Sequence, residues 1–73
     1  MSESRNLVGK TFTVKIEWQI GNYKMKEGDA LLVIDLIDIS EPLVIFRNFR
    51  LPQKGQLRTE VSQFTECTQQ AQL

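Results

Sequence analysis

The stretch that most limits how this chain can fold is Glu27–Pro42, EGDALLVIDLIDISEP. Eight of the ten residues from Ala30 to Ile39 are apolar, and they occupy both parities. Leu31, Val33, Ile37 and Ile39 form one set; Ala30, Leu32, Ile34 and Leu36 form the other. Asp29 could cap a helix here, but Val33, Ile34, Ile37 and Ile39 are β-branched, Gly28 precedes the run, and Pro42 ends it, so a strand is expected. A strand apolar on both parities is buried on both faces. In a small domain such a strand is expected to bend at a glycine-free kink or bulge, sharing its halves between two sheets.

The rest of the chain supplies partners for it. Lys10–Trp18 alternates, with Phe12, Val14, Ile16 and Trp18 on one side and Thr11, Thr13, Lys15 and Glu17 on the other, which predicts a half-solvated strand. Gln19–Asp29 has turn chemistry at both ends, Gly21-Asn22 and Gly28-Asp29, and is expected to form an ordered arching loop. A third strand is expected over Leu43–Arg50, a turn over Leu51–Gly55, and a fourth strand over Gln56–Val61. Ser62–Phe64 is expected to make one helical or 3₁₀ turn that places Phe64 in the core, with a short fifth strand over Thr65–Thr68. The expected organisation is a flexible lead-in over 1–9, one small all-β barrel domain over 10–68, and a disordered tail over 69–73.

Composition narrows the chemistry. A domain of 73 residues buries only about 60% of its unfolded surface, so its stability is marginal. A single cysteine, Cys67, precludes an internal disulfide, and with no histidine in the chain a zinc site is not expected. Oligomerisation is then the remaining common aid to so small a core. The unpaired cysteine and the polar start MSESRN predict a cytoplasmic protein without a secretion signal. The apolar run carries Asp35 and Asp38 and is shorter than the roughly 20 residues of a membrane span.

No histidine base, phosphate loop or nucleophile elbow is present, so the chain is expected not to be an enzyme and to need no cofactor. Asp35 and Asp38 fall on opposite faces of a strand, and Cys67 has no basic neighbour in sequence. Nine basic residues balance nine acidic ones, yet they are segregated. Glu27, Asp29, Asp35, Asp38 and Glu41 precede Phe46 without a base among them, and Arg47, Arg50, Lys54 and Arg58 follow without an acid. These blocks either pair across the sheet or leave a basic patch facing a partner.

The order of strand, arching loop ending in Gly28-Asp29, long bent strand with Leu31, Val33 and Ile34, two tightly linked strands and a turn holding Phe64 resembles the SH3-like small-barrel superfamily, which includes Tudor and KOW modules. The resemblance covers Lys10–Thr68 and implies an SH3-like barrel of about five strongly bent antiparallel strands. It also implies binding of proteins, peptides or nucleic acids beside the arching loop through aromatics, for which Tyr23, Trp18 and Phe49 are available. The chain lacks the clustered aromatic cage of Tudor readers and the basic surplus of ribosomal KOW domains.

The expected function is therefore a non-enzymatic protein-binding adaptor or inhibitor, by analogy with small phage and bacterial regulators, acting alone or as a homo-oligomer. Its candidate contact residues are Leu32, Ile37, Ile39, Leu43 and Ile45, the apolar positions in excess of one small core, together with Tyr23, which the resemblance implies. Nucleic acid or phosphate is the alternative partner, with Lys24, Lys26, Arg47, Arg50, Lys54 and Arg58 as the basic candidates. A third reading is a small ligand held between copies, with Arg47 or Arg50 on its phosphates.

Overall fold

The computed structural model describes residues 7–71, and in it the apolar run becomes the longest strand of a small all-β fold. The strands in chain order are β1 (Thr11–Val14), β2 (Trp18–Ile20), β3 (Tyr23–Met25), β4 (Ala30–Ile37), β5 (Leu43–Asn48), β6 (Gln56–Glu60) and β7 (Thr68–Gln70). A 3₁₀ turn, Pro52–Lys54, precedes β6, and a helix, α1 (Val61–Cys67), separates β6 from β7.

Five strands form one antiparallel sheet in the order β6-β5-β4-β1-β7, and β2 and β3 form a separate hairpin. The edge strands β6 and β7 are not paired with each other, so the sheet curls without closing. β4 lies wholly within this one sheet and is not divided between two sheets as its double-sided apolarity predicts, because both of its neighbours, β1 and β5, belong to the same ladder. Its first residues pair with both β1 (Thr13↔Ala30, Thr11↔Leu32) and β5, whereas its end pairs with β5 alone. The expected bend is a bulge: Val33 faces Phe46 and Asp35 faces Ile45, leaving Ile34 as the extra residue.

The core lies on the concave side, where Phe12, Val14, Met25, Leu31, Val33, Val44, Phe46, Leu57 and Phe64 are buried together. Phe64 is its centre, packing edge-on to Phe12 at 5.1 Å and to Trp18 at 6.5 Å, and tilted against Phe46 at 5.2 Å. Such aromatic pairs add about 0.5–1.5 kcal/mol each beyond the area they bury.

Several elements differ from the sequence expectation. The first strand ends at Val14 rather than Trp18: Ile16 is about half exposed, and the amides of Lys15 and Ile16 both donate to the Cys67 carbonyl, turning the chain away. The expected arching loop folds as the β2–β3 hairpin, which also takes Trp18 from the expected first strand, and Trp18, Ile20 and Tyr23 pack on the core. The single turn at Phe64 is a seven-residue α-helix that takes up Thr65 to Cys67. Its start is tied by the Val61 amide to the Pro42 carbonyl, and just beyond its end the Thr68 hydroxyl donates to the Phe64 carbonyl at 2.7 Å. The last strand falls at Thr68–Gln70, starting at the final residue of the expected fifth strand and running two residues into the segment expected as a tail, and pairs with β1. Of the expected lead-in, residues 1–6 lie outside the described residues, and Gly9 is anchored through its amide to the Val33 carbonyl.

Candidate protein-binding face

Because strand residues alternate between faces, the register settles what each side of the sheet presents. On β4 the inward residues are Leu31 and Val33 before the bulge and Leu36 after it. Ile37, which shares a parity with Leu31 and Val33 in the sequence, is turned to the other face by the extra residue. On β5, Val44, Phe46 and Asn48 point inward. The outward face of this strand pair therefore carries Leu32, Ile37, Leu43 and Ile45, with Ile34 at the bulge. All five are only half-buried, and none packs against the core cluster.

The rows of this outer face run across three strands. Leu32 stands beside Arg47 and then Gln56; Asp35 beside Ile45 and then Arg58; Ile37 beside Leu43 and then Glu60. Of the candidate contact residues, four (Leu32, Ile37, Leu43, Ile45) thus share one face. Ile39 lies just past β4 and is 54% exposed. Tyr23 stands apart, on the hairpin and packed against the core. Ile34 is the residue that sequence reasoning missed here. Asp35 was the available signal, because in an unbroken strand it would share the inward parity of Leu31 and Val33.

The basic candidates divide in the same way. Arg50 is built into a polar bracket: its Nε donates to both carboxylate oxygens of Asp29 at 3.0 Å, and its Nη2 donates to the Lys24 carbonyl at 2.6 Å. Asp29 also accepts the Lys26 amide at 2.9 Å and the Asn48 side-chain amide at 3.1 Å. Asn48, fully buried, accepts the Arg50 amide in return at 2.8 Å. Burial works to raise the Asp29 carboxyl, but the Lys26 amide, the Asn48 amide and the Arg50 guanidinium outweigh it and hold the group below its ordinary range.

The bracket joins the end of the hairpin to the turn after β5. It is entered through Gly28, whose φ of 93° suits a residue without a Cβ, and whose amide donates to the Val14 carbonyl. Lys54 sits over the Tyr23 ring, its Nζ 4.2 Å from the centroid, clamping the 3₁₀ turn to the hairpin.

Arg50 and Lys54 are therefore occupied within the fold, while Lys24 and Lys26 are exposed on the hairpin side. Arg47 and Arg58 alone project from the outer face, and neither forms an ion pair among the described residues. Phe49 follows Arg47 onto that side; its amide donates to the Ala30 carbonyl and its ring is 57% exposed. Trp18 is not available as a platform, since it packs against Phe64.

Among the described residues no group of three or more acidic or cysteine side chains gathers in a metal-binding arrangement, and no helix is long and apolar enough to cross a membrane. Cys67 is buried, and its sulfur accepts the Gln63 side-chain amide at 3.0 Å. Compared with protein-family models, with curated proteins and with solved structures, the chain matches none.

Proposed function

We propose that this protein is a non-enzymatic binding module, an adaptor or inhibitor that docks on protein through the outer face of β4, β5 and β6. One observation carries the reading. Leu32, Ile34, Ile37, Leu43 and Ile45 occupy the middle of a sheet, yet contribute nothing to the packing of the core cluster. Contiguous apolar surface of this kind, rimmed by charge, is what interaction sites present. The charged residues set among and beside these apolar ones are Arg47, Arg58, Asp35 and Glu60. Arginine is favoured at interface centres because its stem packs and its head pairs. The lone reduced cysteine accords with work in the cytoplasm. Kinship with SH3-like barrels is in keeping with a sheet in which one strand carries a bulge and a short helix precedes the last strand.

The test is a photo-crosslinking residue at position 45 of the full chain, with position 19 on the exposed side of the hairpin as control. Protein adducts are expected at 45, resistant to nuclease and to high salt, and not at 19. No adduct at 45, or equal labelling at both positions, would sink the reading.

A second reading rests on the exposed Phe49 ring beside Arg47. A base stacked there, with Arg47 and Arg58 on phosphates, is worth about 1–3 kcal/mol. Two arginines give a shallow salt dependence, with a log–log slope of roughly −0.9 per phosphate on duplex. Nuclease-sensitive adducts at 45 would favour it.

A further inference from the structure

We infer that the occupant of this outer face is a second copy of the chain, placed by a two-fold axis that runs along β5 in the plane of the interface. The inference rests on the protein-docking reading above and adds the partner and the register.

The central row supplies the reason. Across β4, β5 and β6 it reads Asp35, Ile45, Arg58: an acid, an apolar residue and a base, all on one face. Neighbouring strands lie about 4.7–4.9 Å apart, so Asp35 and Arg58 are roughly two strand spacings from each other. Consistent with that separation, they form no ion pair, and neither has another among the described residues. Asp35 is exposed, and the Leu36 amide donates to its Oδ1 at 2.7 Å.

Rotation about an axis along β5 exchanges left and right, so β4 of one copy covers β6 of the other. Asp35 then lies over Arg58 of the second copy, and Arg58 over its Asp35, with Ile45 on Ile45 and Leu43 on Leu43 between them. The row is its own complement under that rotation, as an isologous interface demands. Two sheets packed face to face stay within about 30° of aligned, which keeps the rows in step near the axis. The chain as a whole carries no net charge, so no long-range repulsion opposes the approach. A core this small also gains from covering its second face.

The outer rows work against the dimer: the same rotation sets Leu32 over Gln56 and Ile37 over Glu60 of the second copy, and the least favourable position is at the axis itself. Arg47 lies on β5, on the axis, and meets its own copy. Its guanidinium is therefore expected to splay toward the rim, and removing its charge is expected to tighten association.

The experiment is sedimentation equilibrium of the full chain over a concentration series, with circular dichroism to check folding. Wild type is expected to dimerise reversibly. Asp35→Arg and Arg58→Asp each place like charges together and are expected to weaken the dimer about tenfold or more. The double exchange Asp35→Arg with Arg58→Asp should restore it to within a few-fold, a rescue that general damage to the fold would not give. Arg47→Gln should tighten it. A wild type that stays monomeric throughout, folded single variants that associate like wild type, or a double variant no better than the singles would each overturn the inference. A monomeric wild type that still gives adducts with a different protein at position 45 would overturn the self-pairing alone and leave the docking face intact.

Discussion

The two faces of the β4–β5 ladder are built from almost the same residue types and have opposite fates. Inward stand Leu31, Val33, Leu36, Val44 and Phe46; outward stand Leu32, Ile34, Ile37, Leu43 and Ile45. The inward set meets Phe12, Leu57 and the ring of Phe64, whereas among the described residues the outward set has no place in that core. What separates structural from functional hydrophobicity here is therefore not composition but register. A leucine is core or contact surface according to which neighbour it is counted against.

That contrast can be broken most forcefully at its centre. Phe64→Ala removes the ring that touches Phe12, Trp18 and Phe46. The cost is about 3–5 kcal/mol, comparable to the whole stability of so small a domain. Thermal or urea unfolding of this variant should show little or no cooperative transition at 37 °C. Next comes a matched pair, Leu31→Ala and Leu32→Ala, adjacent leucines on opposite faces. Leu31, fully buried, should cost about 2–5 kcal/mol. Leu32 should cost under about 1 kcal/mol in the isolated chain while weakening partner adducts at position 45. Equal losses in urea titrations of the two would abolish the distinction between the faces.

The polar bracket gives a smaller and pH-dependent effect. Asp29→Ala leaves the Asn48 amide and the Lys26 amide without their acceptor, at a cost of about 1–3 kcal/mol at neutral pH. Arg50 accounts for little of that, because its side chain is 39% exposed and the pair is screened. The Asp29 carboxyl is held below its ordinary value, so its contribution is complete above the unfolded pKa, about 3.9, and is lost as pH falls through the lower folded value. In acid titrations monitored by circular dichroism, wild type should lose stability below about pH 4, and Asp29→Asn should lose less over that interval.

The strands at Ala30–Ile37, Leu43–Asn48 and Gln56–Glu60 were legible because each carries enough residues for alternation or β-branching to speak. The β2–β3 hairpin was not, because its strands are three residues each and its Gly21-Asn22 turn reads equally well as part of a longer loop. Helix α1 was under-read for a related reason. Glu60 provides no side-chain cap, and what holds the helix is Phe64 in the core with the Val61 and Thr68 hydrogen bonds around it, all contacts with other elements or across its ends.

The site followed the same rule. Leu32, Ile37, Leu43 and Ile45 could be named from a surplus of apolar parity. That Arg50 belongs to Asp29, and Lys54 to Tyr23, depends on contacts between segments far apart in the chain, which no local pattern records. The segregated charges of the sequence thus serve in part as an internal tie, and of the basic block Arg47–Arg58 it is Arg47 and Arg58 that are left facing outward.

Finally, the bulge at Ile34 makes β4 longer than the stretch of β5 it is bonded to: Val33 to Asp35 on one strand spans what Phe46 to Ile45 spans on the other. Two strips of unequal length joined along their edges must curl, and here the curl is written into residue count rather than into the fit of any side chain. Replacing Ile34 with another residue should leave the arc intact. Deleting it would keep every remaining partner of the ladder in step and flatten the strip, opening the concave side from which Phe64 draws its shelter.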